Sequence, residues 1–256
     1  MLDTKIIRRS FSRASVSYDS NALLQRRIGL ELLENIKSSN IKPSRILDIG
    51  AGTGWLSQEL EKYFNVSVFG IDSAKGMVYL ANAKEGLSAL QAEAEHLPFK
   101  DKSFDCLVSN LALQWVADLE TTFSEAARVL ESGGKFYFSC FGPHTLEELR
   151  LSLNTNLAKN EPYADFDLAD EEKIRLSLQN NGFKHIDIRT KKLTENFDDF
   201  LSLLRWLKLI GANTVNKPRF IGRHSLSKAN EFYVNNFRVG LQVYATFHLI
   251  QVSASK

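Results

Sequence analysis

The chain has 256 residues, long enough to bury a sizeable core in one large α/β domain without disulfide staples. Hydrophobic residues at 44% and charged residues at 24% exclude wholesale disorder, collagen and a long coiled coil. With 32 basic against 30 acidic residues, the net charge of +2 is too small to imply generic nucleic-acid binding, so any electrostatic message lies in local clusters.

Met1 to Ser17 carries Arg8, Arg9 and Arg13 among several serines, the make-up of an organellar transit peptide, but Asp3 weighs against it and the cytoplasm is the expected compartment. From Asn21 onward Leu24, Ile28, Leu32 and Ile36 recur every fourth residue and predict an amphipathic helix. Arg45 to Ile49 then reads as a short apolar strand, broken by glycines, with a helix over Trp55, Leu56, Leu60 and Phe64 after it. Strands are predicted next at Val66 to Ile71, near Leu87 to Ala92, at Phe104 to Ser109 and at Lys135 to Phe141. Helices from about Ser73 to Lys84 and Leu119 to Leu130 alternate with them, the second stopped by Gly133 and Gly134. This alternation predicts a doubly wound, mostly parallel sheet.

Beyond Gly142 helices are expected near Leu146 to Leu157 and from about Asp170 to Asn181, ended by Gly182. A strand follows at Ile186 to Ile188, then a long helical insertion from about Asn196 to Asn236. Leu241, Val243, Ala245, Phe247 and Leu249 alternate with other residues and predict a last strand with one face inward. No apolar stretch approaches the roughly 18 residues of a membrane span. Cys106 and Cys140 lie in apolar runs as buried thiols, and five scattered histidines lack metal-ligand spacing, so no metal is expected.

Leu47-Asp48-Ile49-Gly50-Ala51-Gly52-Thr53-Gly54 joins a strand to a helix, where glycines admit a ligand closer than a Cβ would. It lacks the Gly-Lys-Ser/Thr of a phosphate-cradling loop and departs from the Gly-x-Gly-x-x-Gly dinucleotide spacing. Asp72 closes the second strand about 20 residues on, where an acid can accept both ribose hydroxyls. A bare turn is the alternative reading of the glycines.

Glycine loop, acidic strand end and βαβ setting together resemble the class I S-adenosylmethionine methyltransferases. The resemblance implies that the backbone around Gly50 and Gly52 meets the methionine part of S-adenosylmethionine, and that Asp48 helps hold its ammonium. Glu93 and Ala94, in Glu93-Ala94-Glu95-His96-Leu97-Pro98-Phe99, stand at the implied adenine side, with Glu93 where the family usually has aspartate. Asn110, opening Asn110-Leu111-Ala112-Leu113-Gln114-Trp115, stands at the methyl-transfer cleft. Met77 packs under adenine or fills core.

Three further stretches resemble one subfamily, the malonyl-acyl-carrier-protein O-methyltransferases of biotin synthesis. They are Phe11-Ser12-Arg13-Ala14 with Tyr18-Asp19 and Leu24-Gln25-Arg26, then Leu113-Gln114-Trp115, then Phe141-Gly142-Pro143-His144-Thr145-Leu146-Glu147-Glu148-Leu149-Arg150. The implied fold is Rossmann-like and single-domain over residues 1–256, with a seven-stranded sheet. Residues 1–40 form a helical lid, 41–142 the cofactor-binding core, and 143–256 the substrate half, with its helical insertion at about 196–236. The implied reaction is methyl transfer from S-adenosylmethionine to the free carboxylate of a malonyl thioester on acyl carrier protein, by a monomer. Tyr18, Gln114, Trp115, His144 and Arg150 are the substrate-side residues, with Tyr18 closing the site.

Malonate's carboxylate is ionised at pH 7, so no general base is needed. Arg150 can grip it, because a guanidinium forms a planar fork matching two oxygens. Its other reading is a helix arginine paired with Glu147. Between Arg205 and Lys228 there are six basic residues and no acid. Lys217, Arg219 and Arg223 in this run are expected to dock the acidic carrier, the alternative being a solvated helical face. Three other functions stay open: a complex I assembly factor of the same fold that hydroxylates a protein arginine, a methyltransferase of quinone or other lipid precursors, and a cofactor-binding module without turnover.

Overall fold

In the computed structural model, residues 3–157, 168–213 and 222–256 are described. Asp3 caps the first helix, α1 (Thr4–Asn21), by accepting from the backbone N–H groups of Lys5 and Ile6. Ala22 separates it from α2 (Leu23–Ser38), whose Leu24, Ile28, Leu32 and Ile36 are all buried as their spacing predicts. In α1 only Ile7, Ala14 and Ser15 are buried.

The alternating core follows in chain order: β1 (Ile46–Ile49), α3 (Trp55–Phe64), β2 (Val68–Asp72), α4 (Lys75–Asn82), β3 (Ser88–Gln91) and β4 (Phe104–Asn110). After a single 3-10 turn at Leu113–Trp115 come α5 (Leu119–Val129) and β5 (Leu130–Phe141). The second half holds α6 (Glu147–Leu157), α7 (Glu171–Asn180), β6 (Lys184–Phe197), α8 (Phe200–Leu209), α9 (Arg223–Asn236), β7 (Arg238–Val239) and β8 (Gln242–Ser255).

The sheet order is β3-β2-β1-β4-β5-β8-β6, with β7 paired to β8. The pairs from β3 to β5 are parallel, while β8 runs antiparallel to both β5 and β6. Every residue of β1 is buried, as a parallel strand covered on both faces requires. One core cluster joins β1, β4 and β5 to α5 and α7, and a second joins the sheet to α2 and α3. A third, around Phe200, Tyr233 and Phe247, binds α8 and α9 to β8. Each fully buried Leu or Ile in them is worth about 1.5–3 kcal/mol.

The expected seven strands form the sheet, with the two-residue β7 added beside β8. Three expectations need correction. Gly133 and Gly134 do not end α5: its C-cap Leu130 is already extended, and the glycines lie inside β5, with Gly133 at φ +81°. β6 covers 14 residues rather than the few around Ile186, because only apolar runs stand out in sequence and most of β6 faces solvent. Leu241 is exposed ahead of β8, while Val243, Ala245, Phe247 and Leu249 are buried as predicted.

Candidate active site

β1 and β4 lie side by side, and their outgoing connections lead to opposite sides of the sheet. The crevice at their C-terminal ends is where open α/β sheets take ligands. Gly50, Asp72 and Asn110 all stand at this edge. Gly50 and Gly52 have φ of +76° and +57°, the left-handed region that favours glycine. A Cβ on Gly50 would lie 2.1 Å from that of Ala112, so the loop packs directly on the start of the β4 exit. A Cβ on Gly52 would meet nothing within 4 Å, which leaves the loop open to a close-lying ligand.

Three adjoining cavities occupy this edge. The first runs from Gly50 and Asp72 past Met77 to Glu93 and Ala94, roofed by Arg8 and Phe11 of α1. The second lies on the other side of the glycine loop, bounded by Asp48, Thr53, Gln25 and Arg26. The third is apolar, walled by Phe141, Leu146, Trp206, Leu207 and Phe247, with Gln25 and Gln114 among its few polar residues. Tyr18 lines all three. Phe11 and Trp115 meet edge to face at 5.4 Å and separate the first cavity from the third. A more spacious cavity of about 550 Å³ lies between α5 and α7, away from the glycine loop.

Asp48 is 1% exposed, and its carboxylate accepts one hydrogen bond, from Ser57 Oγ at 2.6 Å. No described cation pairs with it. Burial pushes its pKa up to about 7, opposed by the Ser57 bond and aided by the charge of Asp72. Asp72 accepts from the N–H groups of Gly52, at 2.9 Å, and Ala74, at 2.7 Å. Burial still lifts it to about 6. Burial also drives the Tyr18 hydroxyl far above its ordinary range, keeping it neutral.

Asn110 donates to the main-chain oxygen of Gln25 at 3.0 Å and accepts from Ser139 Oγ at 2.7 Å, tying α2 to β4 and β5. Glu93 pairs with Arg8 of α1 at 2.5 Å, so its side chain reaches the roof of the cavity. Gln114 donates to the Leu111 carbonyl at 2.8 Å, and its own Oε1 is buried without a partner among the described residues.

Other expected residues stand apart. His144 is exposed and contacts Glu147 at 2.6 Å, and it lines none of the three cavities. Arg150 lies on α6, half-buried and 3.8 Å from Glu147, one helical turn beyond the cavity-lining Leu146. Arg223 is exposed in the first turn of α9, whereas Lys217 and Arg219 lie outside the described residues. The structure adds Phe11, Gln25 and Arg26, which belong to stretches singled out in the sequence but show no role there. Arg26 sits 5.7 Å above the Trp55 ring and 3.5 Å from Asp19, with its Nε buried and without a partner among the described residues.

A family model described as a methyltransferase domain matches residues 47–138, from β1 into β5. The malonyl-[acyl-carrier protein] O-methyltransferase of Methylococcus capsulatus is 34% identical over 96% of this chain and 92% of its own length. That of Geobacter sulfurreducens is 31% identical over 98% of both. The chain belongs to this methyltransferase family. A phosphoethanolamine N-methyltransferase of Haemonchus contortus, solved with S-adenosyl-L-methionine, shares the fold at a TM-score of 0.56. It is 19% identical, over 88% of this chain and 52% of that one.

The methyltransferase's own residues fit S-adenosylmethionine. A buried carboxylate without a described cation suits the ammonium of an amino acid, and a buried, unpartnered Arg26 Nε suits its carboxylate. The open backbone at Gly52 and the acid at the end of β2 suit the sugar that follows.

Proposed function

We propose that this methyltransferase methylates the free carboxylate of a malonyl thioester carried by acyl carrier protein, giving the malonyl methyl ester used in biotin synthesis. The observation that carries this reading is the pair of cavities sharing the Phe11–Tyr18–Trp115 wall, one bearing the acids Asp72 and Glu93, the other lined mostly by apolar side chains.

S-adenosylmethionine, when bound, supplies an electrophilic methyl group on a sulfonium. Asp48 and Arg26 would hold its amino-acid end, Gly50 and Gly52 its backbone-facing side, and Asp72 its ribose. Met77, Glu93 and Ala94 would bound the adenine, and Asn110 fixes the cleft between the two ligands. The substrate carboxylate would take up that methyl group directly, the new O–C bond replacing the C–S bond, whose electron pair would remain on sulfur. No proton moves, so no residue need act as a base.

Opposite charges vanish in this transfer. The chain therefore works by aligning the reactants and keeping water out, a task that Tyr18, Gln114 and Trp115, which line the apolar cavity, would serve. Tyr18 serves as a neutral wall. Arg150 selects the acid over an uncharged acyl group, and His144, bound to Glu147, sits at the head of the same helix. Lys217, Arg219 and Arg223 steer the carrier, and the enzyme acts as a cytoplasmic, single-domain monomer.

The deciding assay follows label from S-adenosylmethionine into malonyl carrier, with acetyl carrier and a quinone precursor as parallel acceptors. Label in the malonyl carrier alone supports the reading. Label in the quinone precursor alone turns the apolar third cavity into an aromatic-acceptor site. A protein-arginine hydroxylase would transfer no label at all.

A further inference from the structure

Gln25 is the polar side chain the reaction scheme leaves without a task. It lies in the first turn of α2, is 8% exposed, and lines both the cavity beside Asp48 and the apolar cavity. Its Oε1 is buried with no hydrogen-bond partner among the described residues. The backbone carrying it is held by the Asn110 bond, and one turn on, a Cβ at Gly29 would come within 2.9 Å of Trp55 and 3.2 Å of Asn110 Nδ2. The amide therefore stands on a fixed helix end, and a buried acceptor left unpaired is costly unless a ligand supplies the missing group.

We propose that the side-chain oxygen of Gln25 is the acceptor that receives the electron-poor methyl group of the sulfonium, orienting it towards the acyl cavity and distinguishing S-adenosylmethionine from its demethylated product. The hydroxyls and ammonium of the ligand have their own acids in Asp72 and Asp48. What remains between the amino-acid end and the apolar cavity is the methyl-bearing sulfur, whose polarised C–H groups make weak hydrogen bonds to a carbonyl oxygen and whose charge is attracted by the amide dipole. A neutral amide suits this position. A full negative charge there would stabilise the sulfonium ground state against a transition state in which the charge is disappearing. Gln25 is thus a positioning and product-release device: once the methyl has left, its oxygen loses its partner and the neutral product is held less tightly.

This inference rests on the methyltransferase reading, and its test is a binding measurement independent of the methyl acceptor. Affinities for S-adenosylmethionine and S-adenosylhomocysteine are measured by calorimetry on the wild type, Gln25→Leu and Gln25→Glu. In Gln25→Leu, affinity for the methylated cofactor falls about three- to tenfold while that for the product changes less than about twofold. Gln25→Glu restores or exceeds the wild-type preference, and it carries the test should the leucine variant fail to fold. The proton signal of the ¹³C-methyl group in the bound cofactor moves upfield in Gln25→Leu. Equal losses for both ligands would mean that Gln25 serves the ammonium or only the packing, and unchanged affinities would mean that it serves neither; each overturns the proposal. Wild-type protein that bound neither ligand would instead overturn the methyltransferase reading itself.

Discussion

Asp48 and Asp72 line neighbouring cavities on either side of the glycine loop, and burial raises both. Asp48 at about 7 and Asp72 at about 6 take up protons on folding that the unfolded chain would bind only near pH 4. The stability of the cofactor-free protein is therefore fully present below pH 4 as far as these groups are concerned, and is lost as pH rises through about 6 to 7. Cofactor binding should show the opposite slope, because a cationic ammonium needs Asp48 ionised. Affinity for S-adenosylmethionine is expected to drop about tenfold from pH 8 to pH 6 through Asp48, with a proton released on binding that calorimetry in buffers of different ionisation enthalpy will count. Asp48→Asn should bind weakly at both pH values and release no such proton. A wild-type affinity flat across this window would refute the assignment. Arg150 makes a separate case, since an ion pair to the carboxylate stabilises the charged ground state more than the neutralising transition state. Arg150→Ala should keep its maximal rate on malonyl carrier within a few-fold but lose most of its preference over acetyl and butyryl carriers, measured by competing the thioesters. Unchanged preference would leave Arg150 with Glu147 as its whole role.

At the scale of elements, α1 is the roof over both ligand cavities and is fastened by polar contacts as well as by the buried Ile7 and Ala14. Ser12 Oγ accepts from the Gly76 N–H at 2.9 Å, Ser17 Oγ donates to the Leu209 carbonyl at 2.9 Å, and Thr53 donates to Asp19 at 2.6 Å. At Gly76 a Cβ would stand 2.4 Å from the Ser12 carbonyl oxygen, so Gly76→Ala must push α1 away from α4. Faster hydrogen exchange over residues 4–21 and weaker cofactor binding are expected, with the exchange of β1 and β4 amides unchanged. Uniformly faster exchange would mean that α1 is not a separable roof. These contacts also explain what the sequence hid. The buried strands and α2 announce themselves by apolar runs and fourfold spacing, and Asp48 and Asp72 by their place at the C-terminal ends of β1 and β2. α1 is harder to read because it is more polar and buries only Ile7, Ala14 and Ser15, and β6 reads as polar because most of it faces solvent. Gln25 and Arg26 are invisible as site residues for another reason: only the docking of α2 against β4 brings a helix end to a strand end some 85 positions away.

Across the whole molecule, charge is unevenly spread although the total is only +2. Arg205 and Lys208 on α8 and Arg223 and Lys228 on α9 are exposed, and both helices pack against the β8 end that carries Phe247 of the apolar cavity. A carrier rich in carboxylates would meet this side first, and long-range attraction raises its encounter rate without touching the chemistry. Arg223→Glu together with Arg219→Glu should therefore raise KM for malonyl carrier several-fold, leave kcat nearly constant, and leave turnover of free malonyl-CoA almost unaltered. Added salt should erode the wild-type advantage of the carrier over the free thioester, because exposed charges are screened beyond about 8 Å at physiological ionic strength. The double variant should show a flatter salt response. If both thioesters suffer equally, the basic run acts on the active site or on folding and not on the carrier, and the docking face must be sought elsewhere on the surface.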